Sequence, residues 1–327
     1  MNDAPHRTAE ALAELAAAST MLGADPLRVQ AAGGNTSLKL DDTLWIKASG
    51  QWLADAAERD IMVPVALSAL CEAFGRGDDV ENANRFLRGT AALRPSIETA
   101  MHALLPDRVV LHVHCVATIA VAVRHDAKAR LDVALGDLRW TFIPYVRPGQ
   151  PLAEAVAARP GFDIYVLGNH GLTVCAATVA AACALLDAVA RRLAVRPRIA
   201  PPPDRARLAA VAQGTEYQIA PETLHGIATD SASLAAARTG SLYPDHVIFL
   251  GPGITESPES GAPLIIVAGA GALIRRDITQ AALAMAECLA AVTARIDAQA
   301  SLVALTHDDE AALLGWEAET YRKRLKR

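Results

Sequence analysis

Several things are missing from this sequence of 327 residues, and each absence narrows its class. Its five cysteines are an odd number, scattered with no Cys-x-x-Cys spacing, which excludes a disulfide framework and a thiolate zinc site. Cys115 reads as a small core residue, the usual place of a free thiol. There is no basic surplus: the formal net charge is -5 and charged residues make up 20%, so a nucleic-acid binder is not expected. No apolar run reaches the roughly 18 uninterrupted residues of a membrane span. The first residues carry Asp3, His6, Arg7 and Glu10 in place of an apolar signal core, so a cytoplasmic protein is expected. What is present is a hydrophobic fraction of 52%, ample for one large domain or two of ordinary size.

The chemistry-bearing residues gather in two stretches and one distant partner. Val109 to His114 reads as a short buried strand in which His112 and His114 project from one face, because side chains alternate along a strand. Same-face neighbours have Cα atoms about 7 Å apart, a gap two imidazoles can close on a metal at about 2.0–2.1 Å. His170, after the apolar run Ile164-Tyr165-Val166-Leu167 and before Gly171, sits where a strand ends in a tight turn and is the candidate third ligand. Pro95-Ser96 opens a helix with Ser96 as N-cap, which places Glu98 in the first turn, where the dipole favours its ionised form. Three imidazoles, a carboxylate and an open position describe a catalytic zinc site. Taken singly, the His-x-His pair also suits two ordinary histidines, and the helix dipole alone accounts for Glu98.

The joint pattern goes further. Ala32-Gly33-Gly34-Asn35-Thr36-Ser37, Trp45-Ile46-Lys47-Ala48-Ser49-Gly50, Pro95-Ser96-Ile97-Glu98 with His102, His112-Val113-His114 and Asn169-His170-Gly171 follow in an order that resembles the class II aldolase/adducin family. The resemblance covers roughly residues 7–195 and is nearest to the aldolase part of rhamnulose-phosphate aldolase/dehydrogenase fusions, more distant to fuculose-phosphate aldolases. It implies a mixed, mainly antiparallel central sheet flanked by helical layers. It also implies a zinc-dependent (or other divalent transition metal) aldolase with ligands His112, His114 and His170 and Glu98 as acid/base. Cleavage of a ketose 1-phosphate through a metal-stabilised enediolate, giving dihydroxyacetone phosphate and an aldehyde, is the implied reaction. By the same resemblance Asn35, Ser49, Gly50 and Ser96 hold the substrate phosphate, although Ile97 stands where the fuculose enzymes carry a second serine. His102 is a candidate support for the site or a packing residue. A tyrosine at a subunit boundary is implied as proton donor, with Tyr145, Tyr217 and Tyr243 as candidates, and a homo-oligomer is implied with it. Rival readings on the same site are a sugar-phosphate 4-epimerase, a 3-oxo-acid phosphate decarboxylase and a non-enzymatic adducin-like module.

The rest of the chain supplies the frame. Residues 8–22 have helical spacing, 33–37 form a glycine turn able to cradle a phosphate or simply to reverse the chain, and 45–48 a strand. Residues 60–65 lead into a helix towards Phe74, 75–91 form a charged surface connection, and 115–123 a helix. Residues 141–145 make a strand, 151–158 a helix opened by proline, and 178–193 a long helix. The proline-rich segment from Arg196 to Pro203 marks a boundary between a catalytic domain, 1–200, and a C-terminal α/β extension, 201–327. In that extension Leu264 to Ile274 followed by a helix repeats the layout of Ile164 to Val174, with Ala270 in the place of His170, so a degenerate partial repeat without metal ligands is expected. Gly269-Ala270-Gly271 only partly matches a dinucleotide-binding turn and reads as a strand-to-strand turn. Residues 308–327 read as a helix ending in a basic cluster from Arg322 to Arg327, complementary to its dipole.

Overall fold

The computed structural model describes residues 3–90 and 92–316. They divide into two compact units, one of residues up to Cys115 together with Leu135–Arg192, the other of Val116–Ala134 together with residues from Leu193 onward.

The first unit begins with α1 (Asp3–Gly23) and the antiparallel strands β1 (Asn35–Leu40), β2 (Thr43–Lys47) and β3 (Met62–Ala66), followed by α2 (Leu67–Gly75), α3 (Thr99–Leu104) and β4 (Val109–Val113). The chain leaves for α4 (Val116–Ala122) and α5 (Ala127–Leu135). It then resumes with β5 (Trp140–Ile143), α6 (Gln150–Ala157), β6 (Ile164–Leu167), β7 (Gly171–Ala176) and α7 (Val179–Arg192). The sheet order is β3-β2-β1-β4-β7-β6-β5, and every pairing is antiparallel except β5 with β6. Strands β4 and β6 are buried along their whole length, which explains why neither shows an apolar/polar alternation. On one face Leu70, Met101, Leu152 and Val156 from α2, α3 and α6 pack on Ile46, Val110 and Leu167. On the other, α1 and α7 pack on the sheet and on each other, burying Leu15, Leu22, Leu186 and Val189.

Three local details differ from the sequence reading. The glycine turn ends at Gly34, and Asn35 to Ser37 already belong to β1, paired through Asn35↔His112, Thr36↔Leu111 and Ser37↔Val110. Residues 62–66 form a strand rather than a lead into a helix; Pro64 is tolerated because β3 is an edge strand, with β2 along one side and only a single bridge, Val65 to Leu87, on the other. The connection after α2 is partly interior, with Val80 and Ala83 buried.

The second unit holds α8 (Arg205–Ala212), β8 (Tyr217–Ile219), α9 (Glu222–Thr229), α10 (Ser231–Arg238), α11 (Pro244–Leu250), β9 (Leu264–Val267), β10 (Gly271–Arg275), α12 (Gln280–Thr293) and α13 (His307–Leu314). Its three strands are ordered β8-β10-β9, all antiparallel. Residues 116–134 group with this unit, unlike a single cut at residue 200, because α4 packs on α12. The segment after it is tied down by Val303 N–H to the Val123 carbonyl (2.8 Å) and His125 N–H to the Ser301 carbonyl (3.0 Å). The proline-rich segment also belongs here: the Arg198 guanidinium donates to Asp230, Ser233 and the Thr293 carbonyl, each at 2.8 Å. Gly269, with φ +74°, lies in the turn between β9 and β10, and a strand follows it where a dinucleotide motif needs a helix. Helix α13 opens on a Thr306/Asp309 capping box; the basic cluster from Arg322 onward lies outside the described residues. Among the described residues no helix is long and apolar enough to cross a membrane.

Candidate active site

Sheet register brings the site together. His112 is the penultimate residue of β4, with Asn35 as its partner on β1 and Thr173 on β7. His114 follows just beyond the strand. His170 sits in the turn joining β6 to β7, after Asn169 at φ +52°, with its N–H on the Leu167 carbonyl at 3.1 Å. Gly171 is obligatory there, since a Cβ would stand 2.5 Å from the Val113 carbonyl oxygen and 3.4 Å from the His114 ring. Without that close approach the turn could not deliver His170 to the end of β4.

The ligand nitrogens of His112, His114 and His170 all lie within 4.8 Å of one another, and all three residues are buried. Ring centroids are 4.9–5.1 Å apart, and the Nε2 atoms of His112 and His114 are 3.1 Å apart. Tetrahedral zinc at 2.0–2.1 Å from each nitrogen separates ligands by about 3.3–3.4 Å, so this set suits one divalent ion. Thr173 Oγ1 lies 3.0 Å from His112 Nδ1, which fixes the ring with Nε2 turned to its neighbours.

Glu98 is buried at the same point. Its Oε2 is 3.4 Å from His112 Nε2 and its Oε1 is 3.6 Å from His170 Nε2. It is the N-cap of α3 rather than a first-turn residue. The reason is a tight turn before the helix, in which the Ser96 hydroxyl accepts the Glu98 N–H at 3.2 Å and the Ser96 carbonyl accepts the Thr99 N–H at 3.1 Å. The Asn35 amide donates to Glu98 Oε2 at 2.7 Å and to Ser96 Oγ at 3.1 Å, while Asn35 Oδ1 has no hydrogen-bond partner among the described residues. Burial pushes the Glu98 carboxyl up, but His112 and His170 in their protonated, low-pH forms, the Asn35 amide and protonated His114 outweigh it and hold it down at about 2. Burial holds His112 down at about 4 against the pull of Glu98, so at neutral pH the imidazole is in its neutral, ligating form. A dication held there would supply the charge that keeps Glu98 ionised while the rings stay neutral.

The remaining expected residues lie nearby with differing roles. Ser49 is buried and its N–H donates to the Arg94 carbonyl at 2.9 Å. Gly50 has φ +74°, and Ala48 bridges Pro95, so the Ser49-Gly50 turn and the Ser96 segment run side by side. His102 faces Ser37 Oγ at 2.7 Å and, buried, is held down at about 3; no hydrogen bond links it to the three histidines. Of the tyrosines, Tyr145 lies beside the His170 turn, its backbone nitrogen 3.0 Å from where a Gly168 side chain would begin. Tyr217 and Tyr243 are buried in the second unit. Sequence reasoning did not single out Thr173, whose only signal is its register opposite His112, or the clamp of Asn35 on Glu98, 63 residues away.

Fold and site together define an α/β domain with a buried three-histidine, one-carboxylate centre compatible with a divalent metal. Residues 13–196, more than half of the chain, match the family model described as Class II Aldolase and Adducin N-terminal domain, and the chain belongs to that family. It is similar to the N-terminal class II aldolase domain of a conserved protein from Thermoplasma acidophilum, 26% identical over 55% of this chain and 90% of that one, with a TM-score of 0.50. An L-fuculose-1-phosphate aldolase structure from Thermus thermophilus matches at 16% identity over 55% of this chain and 92% of that one, TM-score 0.37. Among curated proteins, the uncharacterized oxidoreductase YuxG of Bacillus subtilis (strain 168) is 30% identical over 176 residues, 49% of this chain. The chain spans only 25% of that relative's length.

Proposed function

We propose that this protein is a zinc-dependent aldolase that cleaves a ketose 1-phosphate of the rhamnulose or fuculose type to dihydroxyacetone phosphate and an aldehyde. The observation that carries the reading is the convergence of His112, His114 and His170 beside a buried carboxylate that Asn35 clamps. A divalent metal held by the three imidazoles supplies Lewis-acid stabilisation of the negative charge that develops on the substrate oxygens. Glu98, ionised at rest, takes the proton from the hydroxymethyl carbon of dihydroxyacetone phosphate in the condensation direction and returns it in cleavage. Asn35 orients that carboxylate through Oε2 and presents Oδ1 as an acceptor for a substrate hydroxyl. Asn35, Ser96, Ser49 and Gly50 border the phosphate end, and Tyr145 is the tyrosine best placed to serve the aldehyde half. The proposal includes a cytoplasmic homo-oligomer.

We read residues 201–327 as an extension derived from part of the catalytic domain and stripped of its ligands. What supports this is register: Ile164↔Val174 and Leu167↔Gly171 recur as Leu264↔Ile274 and Val267↔Gly271, and the order β4-β7-β6 recurs as β8-β10-β9.

Glu98→Gln tests the chemistry. The three imidazoles are untouched, so zinc content should stay at wild-type level while turnover of ketose 1-phosphates falls by about 10²–10⁴-fold. An active Glu98→Gln protein would remove Glu98 from the mechanism, and product analysis of the wild type separates cleavage from epimerisation or decarboxylation.

A further inference from the structure

Helix α3 carries Glu98 at its start, β4 carries His112 near its end, and residues 105–108 join the two elements. A helix of six residues is too short to hold its own place, so the position of Glu98 depends on what grips α3 from outside. Strand β1 supplies the grip. Asn35, Ser37 and Lys39 project from one face of the strand, and each reaches a successive level of α3. The Asn35 amide donates to Glu98 Oε2 at 2.7 Å, Ser37 Oγ lies 2.7 Å from His102 Nδ1, and Lys39 Nζ donates to the Leu105 carbonyl at the C-cap.

The Lys39 rung differs from the other two in charge and in reach. Burial holds the half-buried ammonium down at about 8, which leaves it mostly protonated at neutral pH, and a cation suits the open carbonyls at a helix C-terminus. The Lys39 backbone N–H also donates to the Arg108 carbonyl at 2.8 Å. One residue of β1 therefore grips residues 105–108 at both ends, where the helix bearing the carboxylate hands over to the strand leading to His112 and His114.

We propose that Lys39 is a positioning residue for Glu98: by clamping both ends of residues 105–108 it sets the carboxylate at its distance from the histidines, 3.4 Å from His112 Nε2 and 3.6 Å from His170 Nε2. It acts through α3 and not by contact with the reacting groups. The consequence falls on turnover, because a misplacement of about 1 Å in a group that must meet one particular proton costs on the order of 10²-fold. The three histidines, held by β4 and the β6–β7 turn, stay where they are. The inference rests on the reading of Glu98 as the acid/base residue.

Lys39→Met keeps most of the apolar stem, removes the ammonium and leaves the backbone N–H in place. With zinc bound, its kcat for a ketose 1-phosphate falls about 10–100-fold, while KM and zinc content stay at their wild-type values, and Lys39→Arg recovers most of the loss. In a Glu98→Gln background the same substitution has no further effect, since no carboxylate is left to place. A readout that needs no turnover is hydrogen exchange in the metal-free protein at the His102 and Leu105 amides, which donate to the Glu98 and Met101 carbonyls; both exchange faster in Lys39→Met. An unchanged kcat, a KM that rises in its place, an equal loss in the Glu98→Gln background or unchanged exchange at both amides overturns the inference. Should Lys39→Met not fold, Lys39→Gln is read by the same criteria. Faster exchange in Lys39→Met of a protein that cleaves no ketose phosphate would sink the aldolase reading alone. Cleavage with wild-type kcat in a folded Lys39→Met protein would sink this inference alone.

Discussion

Thr173→Val probes the proposed metal site without touching any of the three histidines proposed as ligands. Thr173 is fully buried and stands opposite His112 across β4 and β7, with its hydroxyl 3.0 Å from His112 Nδ1. Valine keeps the shape and removes the oxygen. Losing such an outer partner of a metal-bound imidazole typically lowers metal affinity 10–100-fold. The Leu172 backbone also hydrogen-bonds His112, so the ring keeps one support and the lower end is expected: about tenfold, or about 1.4 kcal/mol. Competition between the protein and a chromophoric chelator for zinc gives the affinity, and a urea melt of the metal-free variant confirms that it is folded. A folded Thr173→Val protein with wild-type zinc affinity would show that the hydroxyl does not hold the ring. A wild type that takes up no zinc would remove the metal centre itself.

Two further outcomes follow from the geometry. Gly34→Ala forces a Cβ to 2.7 Å from the His112 carbonyl oxygen at φ +58°, so it should destabilise the first unit by about 1–3 kcal/mol and weaken zinc binding with it, read by urea midpoint and chelator competition. In the second unit, burial holds His246 down at about 4 against its Gly253 hydrogen bond, and its Nδ1 accepts the Leu242 N–H at 3.3 Å, so the folded state prefers the neutral ring. Its folded pKa lies below the unfolded value of about 6.5, so this contribution is complete above that pH and is lost as pH falls towards 4, about 3 kcal/mol in all. Urea melts between pH 7.5 and 4.5 measure it, and a pH dependence unchanged in His246→Gln would contradict the assignment.

Residues whose role is local were legible in the sequence; those whose role depends on register were not. The buried run around His112 and the strand-turn-strand about His170 announced themselves through apolar residues and a glycine, and the helix expected over 178–193 is α7 to within one residue at each end. By contrast, β3 was hidden by Pro64, which only an edge position makes acceptable. The start of α3 was displaced because Ser96 closes a turn instead of capping the helix. The passage of residues 116–134 into the second unit depends on packing against α12, more than 150 residues later, which no window of sequence contains. Asn35 shows both sides: its place in a glycine-led loop marked it as a polar contact, yet only the pairing of β1 with β4 turns its amide onto Glu98.

The hairpin β9–β10 has the register of β6–β7, and if one derives from the other, as proposed above, the manner of the loss bears on how the first unit is stabilised. In matching register His112 becomes Ile219, since Leu273 pairs with Ile219 as Thr173 pairs with His112. His114 becomes Pro221, His170 becomes Ala270, and the orienting Thr173 becomes Leu273. Every replacement is apolar, as expected if the four positions are useful only together. A buried imidazole deprived of its ion and partners carries a penalty of about 1–3 kcal/mol, so a partly dismantled centre is worse than an intact or an empty one. The first unit keeps the three rings and a carboxylate within one buried volume. Zinc should therefore raise its stability by mass action, about 2.7 kcal/mol at a free concentration 100 times Kd, seen as a concentration-dependent rise in Tm. His170→Ala should abolish most of that rise. A Tm indifferent to zinc in the wild type would mean that the three rings are satisfied without an ion, and the resemblance between the two hairpins would then say nothing about metal.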